Sequence, residues 1–174
     1  MKQFSEFLIP FIGLKEGIHR FDFKVDNTFF ESFDFLDFHD SQIDVSLDFE
    51  KKTTIMELNF IAKGQVTVPC DVTTEPFDLS IDTAFRLVVK FGSEENFDDD
   101  HILILPNGSH EIQVAQFIYE MIVLSLPQKK VHPGIADGTL KSEILLKLKD
   151  LQPQENPPSN GIDPRWDKLK DLLN

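Results

Sequence analysis

Apolar and polar residues alternate through several stretches of the first hundred positions. In "HRFDFKV" Phe21, Phe23 and Val25 interleave with Arg20, Asp22 and Lys24, and in "QIDVSLDFE" Ile43, Val45, Leu47 and Phe49 share one side. A period of two is that of a half-buried strand. Lys51 and Lys52 then form a hairpin turn into "TTIMELNFIAKGQVTVPCDV", and Gly64 inside that long run marks a bulge or a bend. "FDLSI" and "AFRLVVKFG" follow as further strands, with Phe85, Leu87, Val89 and Phe91 on one face. The opening "FLIPFIGL" reads as a strand closed by the turn Lys15–Gly17, and "DNTFFESFDFLDFHD" as a short helix capped by Asp26 or Asn27 before an acidic turn.

The periodicity changes after the acidic loop "GSEENFDDDH". "ILIL" adds a strand, "PNGS" turns, and in "EIQVAQFIYEMIVLSLP" Val114, Phe117, Ile118, Met121 and Ile122 recur at helical spacing until Pro127 ends the run. A second helix is predicted in "TLKSEILLKLKDL", with Leu140, Ile144, Leu145 and Leu148 as its stripe. Successive strands with no βαβ crossover, followed by helices, predict an α+β fold: a strongly curved antiparallel β-sheet or partly open barrel, covered by two C-terminal helices. Residues 1–151 form that single domain and 152–162 are a Pro-rich linker. Residues 163–174 are a tethered short docking helix, with Asp163 as N-cap and Pro164 at its first position. Trp166, Leu169 and Leu173 line one side of that helix, which docks either on its own domain or on a partner.

Composition narrows the function classes. The 174 residues include 17 Phe, one Trp and one Tyr, which predicts a phenylalanine-rich core. Cys70 is the only cysteine, so no intramolecular disulfide forms and a reducing, cytoplasmic setting suits the chain. The apolar start is broken by Pro10 and lacks a cleavage pattern, and no run reaches transmembrane length, so neither a signal peptide nor a membrane span is expected. The net charge of −13 is unevenly placed: residues 1–127 carry 9 Lys+Arg against 23 Asp+Glu, and residues 128–174 carry 8 against 7. Extended contact of the acidic body with nucleic-acid phosphates is therefore disfavoured, and a basic protein is the electrostatically easier partner.

In order along the chain, "IPFIGLKEGIHRFDFKV", "GQVTVPCDVTTEPFDLSI", "FRLVVKFG", "IYEMIVLSLPQKKVHPG" and "DPRWDKLKDLL" resemble the YceD family of bacterial proteins associated with accumulation of large-subunit (23S) ribosomal RNA. The resemblance implies a ribosome-biogenesis factor without enzymatic activity or cofactor, and a ribosomal protein or pre-ribosomal particle as partner. It also exposes a departure. Many relatives have Cys-x-x-Cys where this chain has "CDVT", so Thr73 stands in the place of the second thiol. A tetrahedral thiolate zinc site needs several such ligands, and no metal site is expected here.

Individual residues support binding rather than catalysis. Cys70 follows Val66 and Val68 in strand register with no Lys or His near it in sequence, and reads as a buried structural thiol. The five histidines have no metal-ligand spacing and no nucleophile beside them, and His132 reads as a residue that caps or ends the structure before it. Arg20 and Arg86 belong to the polar face of the sheet, paired with acids across strands. Candidate partner-binding residues are Arg165, Trp166, Leu169 and Leu173 of the last helix and Asp98, Asp99 and Asp100 of the acidic loop, which as a calcium site lacks the alternating ligands and the turn glycine. Lys168 and Lys170 are candidates for RNA contact in the alternative reading, an accessory factor that binds the rRNA precursor directly.

Overall fold

The computed structural model describes residues 4–92 and 101–151 of the chain. The chain divides into two compact units, residues 1–139 and 140–174. Seven strands and three short α-helices among the described residues belong to the first unit. The strands are β1 (Leu8–Pro10), β2 (Gly17–Val25), β3 (Asp40–Lys51), β4 (Ile55–Pro69), β5 (Pro76–Phe91), β6 (Ile102–Leu105) and β7 (Glu111–Gln113). The helices are α1 (Asn27–Glu31), α2 (Ala115–Leu124) and α3 (Pro133–Ala136). In the second unit, α4 spans Glu143–Asp150.

β2-β3-β4-β5-β6 form one five-stranded sheet, and β1-β7 a separate antiparallel pair. Among the described residues the large sheet does not close into a barrel. β2 to β5 are antiparallel, as their alternation predicts, whereas β6 joins β5 in parallel. Alternation is followed residue by residue: Ile43, Val45, Leu47 and Phe49 of β3 and Met56, Leu58, Phe60 and Ala62 of β4 are buried, and the residues between them face outward. α2 places Ala115, Ile118, Met121 and Ile122 in the same core.

Two expectations about the long strands are corrected. "FDLSI" and "AFRLVVKFG" belong to one strand, β5, because Asp82 and Thr83 keep the alternation going and pair with Lys63 and Ala62. Gly64 does not mark a bulge. Pairing continues through it without a shift on both sides, Ile43 opposite it on β3 and Ile81 on β5. Its role is close approach: a Cβ built there would lie 2.1 Å from the Gln42 carbonyl oxygen and 2.7 Å from Ile43 Cα. Only glycine fits that crossing.

The ends of the first unit also differ from the periodic reading. "FLIPFIGL" contributes a 3₁₀ turn, Ser5–Phe7, and the three residues of β1, which pair with β7 rather than with the large sheet. Residues 111–113 form β7 directly ahead of the helix, and Gln113 makes the join. Its amide nitrogen donates to the Phe4 carbonyl at 3.0 Å, and its Oε1 accepts from the Ala115 N–H at 3.2 Å, which starts α2. Elsewhere the local signals hold. Asp26 caps α1 by accepting from the N–H groups of Thr28 and Phe29, and Gly108 takes a positive φ of 93° in the Pro106–Ser109 turn.

Candidate functional site

The outward face of the large sheet is built by the polar half of each alternating strand, and its charges are arranged in pairs. Arg20 faces Asp48 across β2 and β3, with Nε 2.9 Å from the carboxylate. Glu57 on β4 accepts from both Lys52 and Arg86, and these cations hold its carboxyl below the ordinary carboxylate range, Lys52 most strongly. Lys63 lies 3.7 Å from Asp82. Arg20 and Arg86 thus do what their strand positions predict. Exposed pairs of this kind contribute little to stability, because water and salt screen them, but they neutralise most of the positive charge on this face. A groove of about 760 Å³ opens where β2, β3 and β4 pass Gly64, with Lys24, Asp26, Gln42, Asp44 and Gln65 on its rim. It is an open recess whose walls are polar and apolar in about equal measure.

At the other end of β4 the loop after Pro69 is clasped to the segment that precedes α3. The Asp71 N–H donates to the Lys130 carbonyl at 2.8 Å, and the Lys130 N–H donates back to the Asp71 carboxylate at 2.6 Å. One residue away, the His132 N–H donates to Cys70 Sγ at 3.3 Å. His132 does not end the structure before it. Its Nδ1 accepts from the Gly134 N–H at 2.9 Å and so caps α3, the helix after it.

Cys70 is buried, as its strand register predicts. Burial pushes its thiol up, yet the Thr73 hydroxyl and the N–H groups of His132, Thr73 and Val72 together act more strongly in the opposite direction, and the thiol falls from 9.0 to about 7. The Thr73 hydroxyl that lowers the thiol is itself buried. Of these donors only His132, which arrives from 62 positions away, is invisible among the sequence neighbours of Cys70. The folded thiol loses its proton before the unfolded one. Its contribution to stability is therefore absent below pH ~7, grows between about 7 and 9, and is complete above. Thermal unfolding followed across that range is expected to show the gain in the native chain and not in Cys70→Ser.

A zinc ion does not fit this junction. Cys70 supplies one thiol, Thr73 only a hydroxyl, and the Nδ1 of His132 is occupied by Gly134. Among the described residues no group of three or more His, Cys, Asp or Glu side chains is placed to hold a metal. Asp98, Asp99 and Asp100 of the acidic loop lie outside the described residues, as do Arg165, Trp166, Lys168, Leu169, Lys170 and Leu173 with the end helix expected for them.

The comparison with known families settles kinship. Residues 58–173 match the family model described as large ribosomal RNA subunit accumulation protein YceD. The chain belongs to the YceD family. No curated protein and no solved structure matches it. The YceD match takes in β4 from Leu58 onward through β7, both ends of the Cys70–His132 junction and the C-terminal segment, and it leaves β1 to β3 and α1 outside. The YceD name ties the chain to accumulation of large-subunit ribosomal RNA. No helix among the described residues is long and apolar enough to cross a membrane.

One feature of the acidic body escaped the periodic reading. From Val25 to Glu50 the chain contains no Lys or Arg, while Asp26, Glu31, Asp34, Asp37, Asp40, Asp44, Asp48 and Glu50 fall within it. Counting charge by segment rather than by half-chain would have found it.

Proposed function

We propose that this chain is a non-enzymatic ribosome-biogenesis factor that supports 23S rRNA accumulation by binding a basic ribosomal protein, or a particle that carries one, through its acidic surface in the bacterial cytoplasm. Kinship with the YceD family supplies the process. The observation that carries the mode of action is charge. Residues 1–127 have an excess of 14 acids, and Arg20, Lys52, Lys63 and Arg86 are spent on acids of the same sheet face. What remains on offer is negative, which attracts a basic polypeptide and repels phosphate.

Binding rather than catalysis is further supported by where three of the five histidines are committed. His19 bonds to the Lys15 carbonyl, His101 to the Arg86 carbonyl and His132 to Gly134. Each has a structural partner, and the sulfur of Cys70 faces backbone donors rather than a base. The apolar stripe Trp166, Leu169 and Leu173, with Arg165, is assigned to docking, on the chain's own domain or on the partner.

The test is affinity purification of the full chain from growing cells, with nuclease treatment before elution. Large-subunit ribosomal proteins are expected to remain bound after the RNA is removed. Recovery that disappears with nuclease, and falls steeply with salt through counterion release, would replace this reading by direct RNA binding. Trp166→Ala measures the share of the last helix: equal recovery assigns it to its own domain.

A further inference from the structure

We propose that the loop Ser32–His39, with Leu36 at its tip, is the contact through which the acidic body holds a basic protein: Leu36 enters an apolar recess of the partner, and Glu31, Asp34 and Asp37 pair with Lys or Arg around it. The inference rests on the protein-binding reading above and gives it a place. The loop precedes residues 58–173, so the kinship that defines the family does not supply this argument.

Leu36 is 75% exposed, although its neighbours in the chain are among the most aromatic in the molecule. Phe30 and Phe38 are buried beneath the loop with their rings 4.7 Å apart, Phe35 packs 4.9 Å from Phe38, and Phe33 stacks on Tyr119 of α2 at 4.4 Å. The backbone is fastened as well. The N–H groups of Phe33 and Phe35 both donate to the Phe30 carbonyl, and Asp34 is held at a φ of +57° between them. At the base of the loop Asn27 donates to the His39 carbonyl at 2.9 Å and accepts from the Ser41 hydroxyl at 2.7 Å, and the His39 N–H donates to Thr67 on β4. A leucine held out on a stiff platform loses little freedom on binding, the condition under which one apolar side chain contributes most to an interface.

The occupant follows from the charge around that leucine. Glu31, Asp34, Asp37 and Asp40 are exposed, and no Lys or Arg occurs between Val25 and Glu50 to offset them. An RNA or an anionic membrane surface is repelled, and a second copy of the chain would bring the same four acids against these four. A basic protein with an apolar recess meets both parts of the surface. Ile12 and Ile18 are comparably exposed, but Lys15, Glu16 and Arg20 leave their surroundings mixed in charge.

The experiment uses the full chain and, as probe, the mixed proteins extracted from purified large ribosomal subunits. Leu36→p-benzoylphenylalanine is photo-crosslinked to the probe beside Ile18→p-benzoylphenylalanine, a position roughly 23 Å before Val25 along β2. Crosslinking to a basic protein is expected from position 36 and not from position 18. Leu36→Glu and the double change Asp34→Lys with Asp37→Lys are expected to weaken binding about tenfold or more with unchanged thermal unfolding. Leu36→Ala, which adds no charge, weakens it in the same direction. If the native chain binds and all three variants bind equally well, the loop is not the contact while the protein-binding reading stands. If the native chain captures none of these proteins, that reading itself fails.

Discussion

Gly64→Ala is expected to destabilise the first unit by about 3 kcal/mol, the upper end of what overpacking ordinarily costs. The reason is the identity of the atoms in the way. The added Cβ would stand 2.1 Å from a carbonyl oxygen and 2.7 Å from a Cα, both on β3, and not against a side chain that could turn aside. β3 cannot withdraw freely, because it is paired with β4 from Asp40 to Lys51 and with β2 from Ile43 onward. Relief therefore requires breaking ladder hydrogen bonds around Ile43, at a point where β4 is also paired to β5. Gly92→Ala is the internal comparison: its Cβ would meet only the Ile104 methyl group at 3.1 Å, which can move, and the cost should stay below about 1 kcal/mol. Urea unfolding of the two variants beside the native chain decides the matter, and equal midpoints for both would show that the strands part easily at Gly64.

The same glycine marks the boundary between what was legible in the sequence and what was not. β2, β3 and the first half of β4 follow from local alternation, because each buries one face and a one-residue slip would expose it. The α1 cap at Asp26 and the Pro106–Ser109 turn follow from residues whose preferences act within a few positions. A glycine in a strand, however, has the same local appearance whether it sits in a bulge or in a close crossing, and only the partner strand distinguishes them. β1, β7 and the parallel seat of β6 are likewise products of pairing over long separations, Leu8 with Gln113 and Val88 with Ile102. The candidate site divides in the same way. Arg20 and Arg86 are assigned by strand register alone, whereas the His132 donor at the Cys70 thiol and the platform under Leu36 exist only once residues tens of positions apart have met.

Phe30→Ala should have an effect at least as large, about 3 to 5 kcal/mol, in a domain whose whole stability is expected to be about 5 to 15 kcal/mol. Phe30 is 1% exposed, and its ring lies within 6.4 Å of those of Phe29, Phe35, Phe38 and Tyr119. Truncation leaves a void where α1, the Ser32–His39 loop and α2 meet, and rings fixed by their own backbone hydrogen bonds cannot all collapse into it. The damage is predicted to be local before it is global. The N–H groups of Phe33 and Phe35 keep their acceptor in the variant, since it is the Phe30 carbonyl, so their hydrogen exchange reports the loss of packing and not of a bonding partner. They should exchange faster under conditions where the β3–β4 ladder remains protected. Phe30→Leu, which restores most of the volume, should recover more than half of the loss and slow that exchange again. If the loop carries the partner contact, binding will follow the same order although Leu36, Asp34 and Asp37 are untouched: native chain, then Phe30→Leu, then Phe30→Ala. Uniform acceleration of exchange across loop and ladder would instead mean that Phe30 supports the unit as a whole, and that the stiffness under Leu36 has another source.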